Sequence, residues 1–240
     1  MRFDVITLFP EMIENAMNHS VIKRAMENDL LEIHATQLRD YAYDKHKIVD
    51  DTPFGGGAGM LMKPEPFFRA VEDIVQKTNL SNRRVILMAP SGTTFDQAKC
   101  IELAKYDQLI FLCGHYEGVD ARVQEYLADE VLSIGDYVLT GGELPAMVIM
   151  DSVARNIAGV LGSADSAPQD SFYAGLLEYP QYTRPRTYEG HDVPDVLLSG
   201  NHAEIEKWRR KQSLLITREK RPDLFEKIEL TKQDKKLLGE

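Results

Sequence analysis

Two stretches of this chain repeat one arrangement, and the repetition limits what fold can hold them. Phe111-Leu112-Cys113-Gly114-His115-Tyr116-Glu117-Gly118 runs from an apolar strand into a glycine turn. Ser133-Ile134-Gly135-Asp136-Tyr137-Val138-Leu139-Thr140-Gly141-Gly142-Glu143-Leu144-Pro145 runs from an apolar strand through a Gly-Asp turn and a Gly-Gly turn into a helix start. Uninterrupted apolar strands belong in a sheet covered on both faces. Glycine has no Cβ and permits positive φ, so such turns bring main chain close to a ligand. In open α/β sheets, ligands lie off the carboxyl ends of the strands.

The surrounding sequence fits that picture. Phe3–Leu8, Leu31–Ala35, Arg84–Met88 and Gln108–Leu112 read as strands. Pro10 and Glu11 open a helix with proline and acid in its first turn. Phe95–Tyr106 and Val119–Leu127 read as helices between strands, which argues for an α/β layer of parallel strands. Glu143–Val160 is apolar almost all round, so that helix is buried in the core or against a second copy of the chain.

The pattern breaks at Gly162–Ser171, a small, polar stretch that reads as a linker. We therefore divide the chain into a domain at 1–160, a linker at 161–172 and a helical domain at 173–240. In the last of these, Asn201 can N-cap a helix that runs through Arg221 and stops at Pro222. Thr231-Lys232-Gln233-Asp234 resembles a capping box.

The formal charge of −10 argues against a generally basic nucleic-acid coat. One window departs from it: Lys207 to Arg221 holds seven basic residues and one acidic residue. Cys100 and Cys113 are too few for a disulfide framework or a structural zinc site. The first residues carry no apolar leader, and no apolar run approaches the roughly 18–20 residues that span a bilayer. A reducing cytoplasm, with no membrane partner, is the expected setting.

Several residues carry two readings. Asp50–Met60 is a glycine-rich loop without the Lys-Ser or Lys-Thr of a Walker loop. It is either a surface loop or one that closes over a planar or phosphate-bearing substrate. Glu117 and Asp136 sit beside turn glycines, where acids favour local hydrogen bonds or face a ligand. His46 has charged neighbours, Asp44, Lys45 and Lys47, and taken alone is a solvated loop residue. Arg155 follows Asp151 by one helical turn, as an ion pair or as a cation for a developing oxyanion. Asp170 taken alone can be a helix N-cap. The Lys207–Arg221 run, with Trp208, is either a solvated face or a site for phosphate contact and stacking.

Together these segments resemble the bacterial tRNA (guanine-N1)-methyltransferases of the trefoil-knotted SPOUT superfamily. The resemblance runs through Leu8–Met12, Asp44–Lys47, Val49–Asp51, Gly55–Met60, Cys113–Gly118, Ser133–Ala146, Asp170–Phe172, Tyr182–Pro185, Leu198–His202 and Lys211–Leu214. It implies an α/β SPOUT-type parallel sheet with a deep trefoil knot around residues 85–142, plus a small helical C-terminal domain. It implies S-adenosylmethionine bound at Ala89, Pro90, Gly114, Tyr116, Ile134, Gly135, Asp136, Tyr137, Val138, Leu139, Gly141, Gly142 and Pro145. Members often have Ser or Thr where this chain has Ala89. A backbone contact survives that change and a side-chain contact does not.

The implied substrate is tRNA with guanosine at position 37 preceded by guanosine 36, bound by a homodimer with composite active sites. Guanine N1 carries a proton at neutral pH, so a base must remove it. By resemblance that base is Asp170, given by the other subunit, and Arg155 stabilises charge on O6. The resemblance has Glu117 and the Gly55–Gly59 loop help hold the flipped base, with His46, Asp50, Gly59, Arg209, Arg210 and Lys211 among the residues that bind the tRNA. The family also implies magnesium, for which no metal-ligand cluster stands out in the sequence. The rival readings are a related knotted RNA methyltransferase acting on another base, a non-catalytic RNA-binding module, and a nucleotide-phosphate enzyme using the glycine loops.

Overall fold

A computed structural model of the chain describes residues 1–162 and 170–240. It separates into two compact units, Met1–Ser163 and Ala164–Glu240. Part of the expected linker, residues 163–169, lies outside the described residues.

The first unit contains strands β1 (Arg2–Thr7), β2 (Glu32–Gln37), β3 (Asp50–Asp51), β4 (Leu61–Met62), β5 (Arg83–Thr94), β6 (Gln108–Cys113) and β7 (Glu130–Ser133). Five of them form one sheet in the order β2-β1-β6-β5-β7. Every neighbouring pair in it is parallel. β3 and β4 pair with each other, antiparallel. The helices of this unit are α1 (Pro10–Met17), α2 (Ser20–Glu27), α3 (Pro64–Thr78), α4 (Gln97–Leu103), α5 (Ala121–Tyr126) and α6 (Glu143–Ala154).

Side chains alternate across a strand, and the central strand divides the core accordingly. From β6, Leu109, Phe111 and Cys113 join one apolar cluster, with Ile13 of α1, Cys100 of α4 and Ile149 of α6. Ile110 and Leu112 join the opposite cluster, with Phe67 and Ile74 of α3 and Val123 of α5. All six residues of β6 are buried, as a sheet covered on both faces requires.

β5 and α6 run differently from the sequence expectation. β5 continues past Met88 to Thr94, and its pairing with β7 shifts register between Met88 and Thr93. Both of those residues face Leu132, so Ala89–Gly92 is pushed out of the ladder. Pro90 has no N–H to give the ladder, which is why an alternation count stops short there. α6 ends at Ala154 rather than Val160. Tight bonds from Asn156 N to Val153 O and from Ile157 N to Ala154 O replace the helical ladder, and Gly159 follows at φ +87°.

The second unit carries helices at Asp195–Leu198, His202–Lys220, Pro222–Phe225 and Lys232–Leu238. Asn201 caps the long helix by accepting from Glu204 N. Thr231 and Asp234 form the expected capping box.

Candidate functional site

The β5 bulge and the turns after β6 and β7 converge on a cavity of about 400 Å³. Its walls include Ala89–Ser91 from the β5 bulge, Gly114–Val119 after β6, and Ile134, Gly135 and Tyr137–Gly142 after β7. Pro145 of α6 closes one side. Of the residues expected at a cofactor, Asp136 is the one that does not line this cavity; it is exposed.

The glycines act by close approach. Gly135 sits at φ +149°, and a Cβ there would strike the Tyr137 ring. A Cβ at Gly141 would collide with the His115 imidazole and the Glu143 carboxylate. At Gly142 it would lie 2.7 Å from the Cys113 Cα. The main chain joins the two walls directly: His115 and Gly141 form an antiparallel bridge, and Gly142 N donates to Gly114 O at 3.0 Å. Tyr116, between those walls, holds φ +60°, a conformation uncommon outside glycine and of the kind that collects at functional sites.

Beneath the cavity lies a network that sequence reasoning missed. Glu143, 2% exposed, begins α6. Its Oε2 is 2.8 Å from His115 Nε2, and its Oε1 accepts from Thr7 Oγ1 at 2.5 Å. Thr7 Oγ1 in turn accepts from Phe9 N at 2.9 Å, and the Phe9 ring packs edge-on against His115 at 4.9 Å. Burial first, and the Glu143 charge second, hold the Cys113 thiol well above its ordinary range. The available signal was an acid at the head of an otherwise apolar helix.

The glycine-rich loop docks on the same rim. β3 and β4 clamp its two ends. Met62 N donates to Gly118 O at 2.9 Å and Glu117 N to Met60 O at 3.0 Å. A Cβ at Gly59 would strike the Glu117 side chain. The structure thus brings Asp50, Gly59 and Glu117 to one segment beside the cavity. His46 lies in an exposed turn whose N–H donates to Asp44 Oδ1 at 2.9 Å, and it does not line the cavity. Arg155 is the exposed C-cap of α6.

Asp170 belongs to the second unit. There it lines a smaller cavity of about 210 Å³ with Tyr179, Glu206, Arg209, Arg210 and Ser213. The basic run on the long helix is largely answered by nearby acids. Lys207 pairs with Glu204, Arg209 with Glu206, Arg218 with Glu240 and Arg221 with Asp223. Arg210 forks onto the buried Asp234 through Nε and Nη2 at 2.8 and 3.0 Å. Those hydrogen bonds hold the Asp234 carboxyl well below the usual range despite its burial, with Thr231 assisting. Among the described residues, Lys211 and Lys220 are the cations of this run outside any ion pair, and Lys211 is exposed.

Comparison with known proteins bears on this geometry. The family model described as tRNA (Guanine-1)-methyltransferase TrmD matches residues 1–227. A Desulforamulus reducens protein named tRNA (guanine-N(1)-)-methyltransferase is 56% identical over 100% of this chain and 94% of its own length. Proteins of the same name from Dehalococcoides mccartyi and Staphylococcus aureus are each 55% identical, over 100% and 99% of this chain and 96% of their own lengths.

Proposed function

The chain belongs to the tRNA (guanine-1)-methyltransferase family, and on that premise we propose that it methylates N1 of guanosine at position 37 of tRNA, next to guanosine 36. The observation that carries this reading is the cavity at the β5 bulge and the ends of β6 and β7, walled by main chain where side chains at 135, 141 or 142 would intrude. Its volume lies within the ~300–1,000 Å³ of small-molecule sites. Its lining fits a cofactor gripped by backbone, a contact that Ala89 makes without a side-chain hydroxyl. S-adenosylmethionine bound there supplies the methyl group as an electrophile on a sulfonium.

The chain's own side chains do the rest. Asp170, given by the second copy in a homodimer, takes the N1 proton so that the ring nitrogen can attack. Arg155 stabilises the negative charge that builds on O6. Glu117, with His46, Asp50 and Gly59, holds the base once it leaves its stack. Arg209 and Lys211 meet the tRNA backbone, while Arg210, committed to Asp234, holds the helix that presents them. Magnesium, which the resemblance implies, would need oxygen ligands from carboxylates or from the RNA itself. Among the described residues no cluster of three or more His, Cys, Asp or Glu is placed to hold a metal by itself.

The homodimer is supported by a stripe on α6. Leu144 and Val148 are 50% and 46% exposed, and the stripe continues to Asp151 and Arg155. An apolar face on a core helix calls for a cover, and covering it with a second copy brings Arg155 to the seam. The trefoil knot follows from the family, and close main-chain approaches within residues 85–142 suit it. A Cβ at Gly92 would lie 2.6 Å from Val131 and Leu132 main-chain atoms, and Gly142 presses on Cys113. A cytoplasmic setting suits a tRNA substrate and two buried, free cysteines. No helix among the described residues is long and apolar enough to cross a membrane. Transfer of labelled methyl to tRNA carrying guanosine or adenosine at position 37 tests the reading. Label in the guanosine tRNA alone, at ring N1, is expected; equal label in both, or none, would contradict it.

A further inference from the structure

The Glu143 network lies outside the roles assigned above, and it has features that packing alone does not ask for. A buried carboxylate is costly unless its lone pairs are met. Here they are met by Thr7 at the end of β1 and by His115 in the turn after β6. The carboxylate stands in the first turn of α6, where the helix dipole favours negative charge. It therefore ties three chain segments to one point.

That point lies directly under the cofactor cavity. His115 lines the cavity and its side chain is 16% exposed. Its ring is held at Nε2 by Glu143 and across its face by Phe9, whose own N–H returns to Thr7. The interactions close a ring: Glu143 to His115, to Phe9, to Thr7, and back to Glu143. The space that ring occupies is the space a side chain at Gly141 would need. The imidazole thus stands between the turn after β6 and the loop after β7 and sets their separation. Both segments are walls of the cavity.

We propose that Glu143 and His115 are positioning residues for the methyl donor: the carboxylate fixes the imidazole, and the imidazole fixes the gap between the two walls that grip the cofactor. The inference rests on the cavity being the S-adenosylmethionine site. A hydrogen bond to a charged group contributes enough that its loss weakens donor binding by about 10- to 100-fold. The tRNA affinity and the base at Asp170 are not touched by either residue.

The test is calorimetric titration of S-adenosylmethionine into the wild-type protein and into Glu143→Gln, His115→Ala, His115→Gln and the double variant Glu143→Gln/His115→Ala. Steady-state methyl transfer and thermal unfolding are measured on the same samples. The expected result is a raised Kd and KM for the donor in Glu143→Gln and His115→Ala, with kcat within about threefold of wild type because the base is untouched. The double variant should be no worse than the worse single, since one contact is lost either way. His115→Gln, whose amide can still donate to the carboxylate, should recover part of the affinity. Should Glu143→Gln not fold, the two His115 variants decide alone. Unchanged donor affinity in the variants beside tight wild-type binding would overturn this inference and leave the assignment of the cavity standing. A fall in melting temperature with additive losses and no KM–kcat split would overturn it too, reducing the pair to a structural role. Wild-type protein that binds no donor would instead sink the cavity assignment, and this inference with it.

Discussion

The two units of this chain are held together by different physics. The first is built around two apolar clusters on either face of a parallel sheet. Among the described residues of the second, the buried apolar ones are Leu176 and Leu214, and Ser213, Thr217 and Asp234 are also buried. Thr217 Oγ1 donates to Ser213 O and accepts from Leu177 N, and Asp234 joins Arg210 to Thr231. Charge follows a different division. The first unit has 15 Lys and Arg against 24 Asp and Glu, the second 13 against 14. The unit that carries the cavity is thus acidic, and the second is closer to neutral, as the proposed tRNA contact asks. Its cations serve two ends, however: several stabilise the fold before any remain for phosphate.

This contrast puts the cavity and the proposed base, Asp170, in different units, and the largest expected effect tests that separation. Asp170→Ala should lower methyl transfer by about 10²–10⁴-fold, the range for a lost general base. Cofactor affinity should stay near wild type, because Asp170 lies in the second unit and the cavity in the first. Equal transfer rates in the two proteins would remove Asp170 from the chemistry. Gly141→Val should act the other way round. The added side chain intrudes on His115 and Glu143, so calorimetry should detect no S-adenosylmethionine binding while tRNA affinity persists. The obstacle at Gly141 is close approach rather than φ; at Gly135, φ +149° adds to it.

Smaller effects sharpen the contrast in stability. The Asp234 carboxyl titrates below its unfolded value. Its contribution is therefore present above the ordinary carboxylate range near pH 4, and is lost as pH falls through the folded value. The second unit should accordingly weaken in acid, and Asp234→Ala should cost it about 2 kcal/mol or more at neutral pH, from the fork to Arg210 and the capping box together. The single tryptophan, Trp208, lies on the long helix of this unit, so its fluorescence follows that transition directly. A Trp208 transition identical in both proteins would mean that Asp234 does not hold the unit. Smallest of all, Lys211→Ala should reduce the salt slope of tRNA binding by about one without moving the Trp208 transition. Arg210→Ala should move that transition. If the two variants behave alike, the division of the basic run into fold-bearing and RNA-facing cations is wrong.

What could be read from the sequence, and what could not, follows from the range of the interactions. The strands around Ile86 and Phe111 were legible because burial on both faces writes continuous apolar runs. The cavity glycines were legible because each turn follows its strand immediately. The N-cap at Asn201 and the capping box at Thr231 are local, and they appear as expected. Contacts between distant residues left no such trace. Glu143 meets Thr7 across 136 positions and His115 across 28. Arg210 finds Asp234 24 residues away, outside any window over which charge was counted. The β5 bulge was hidden because Leu132 serves two partners, a fact of register that only the assembled sheet expresses.

The central claim is that the cofactor cavity of one copy works with Asp170 of another. Mixing two inactive proteins tests it most directly. An Asp170→Ala chain keeps its cavity, and a Gly141→Val chain keeps its base. Under conditions that let subunits exchange, their heterodimer should contain one complete site, and methyl transfer to guanosine-37 tRNA should reappear in part. Absence of recovery, with heterodimers confirmed by native mass spectrometry, would place base and cavity in the same chain and contradict the account.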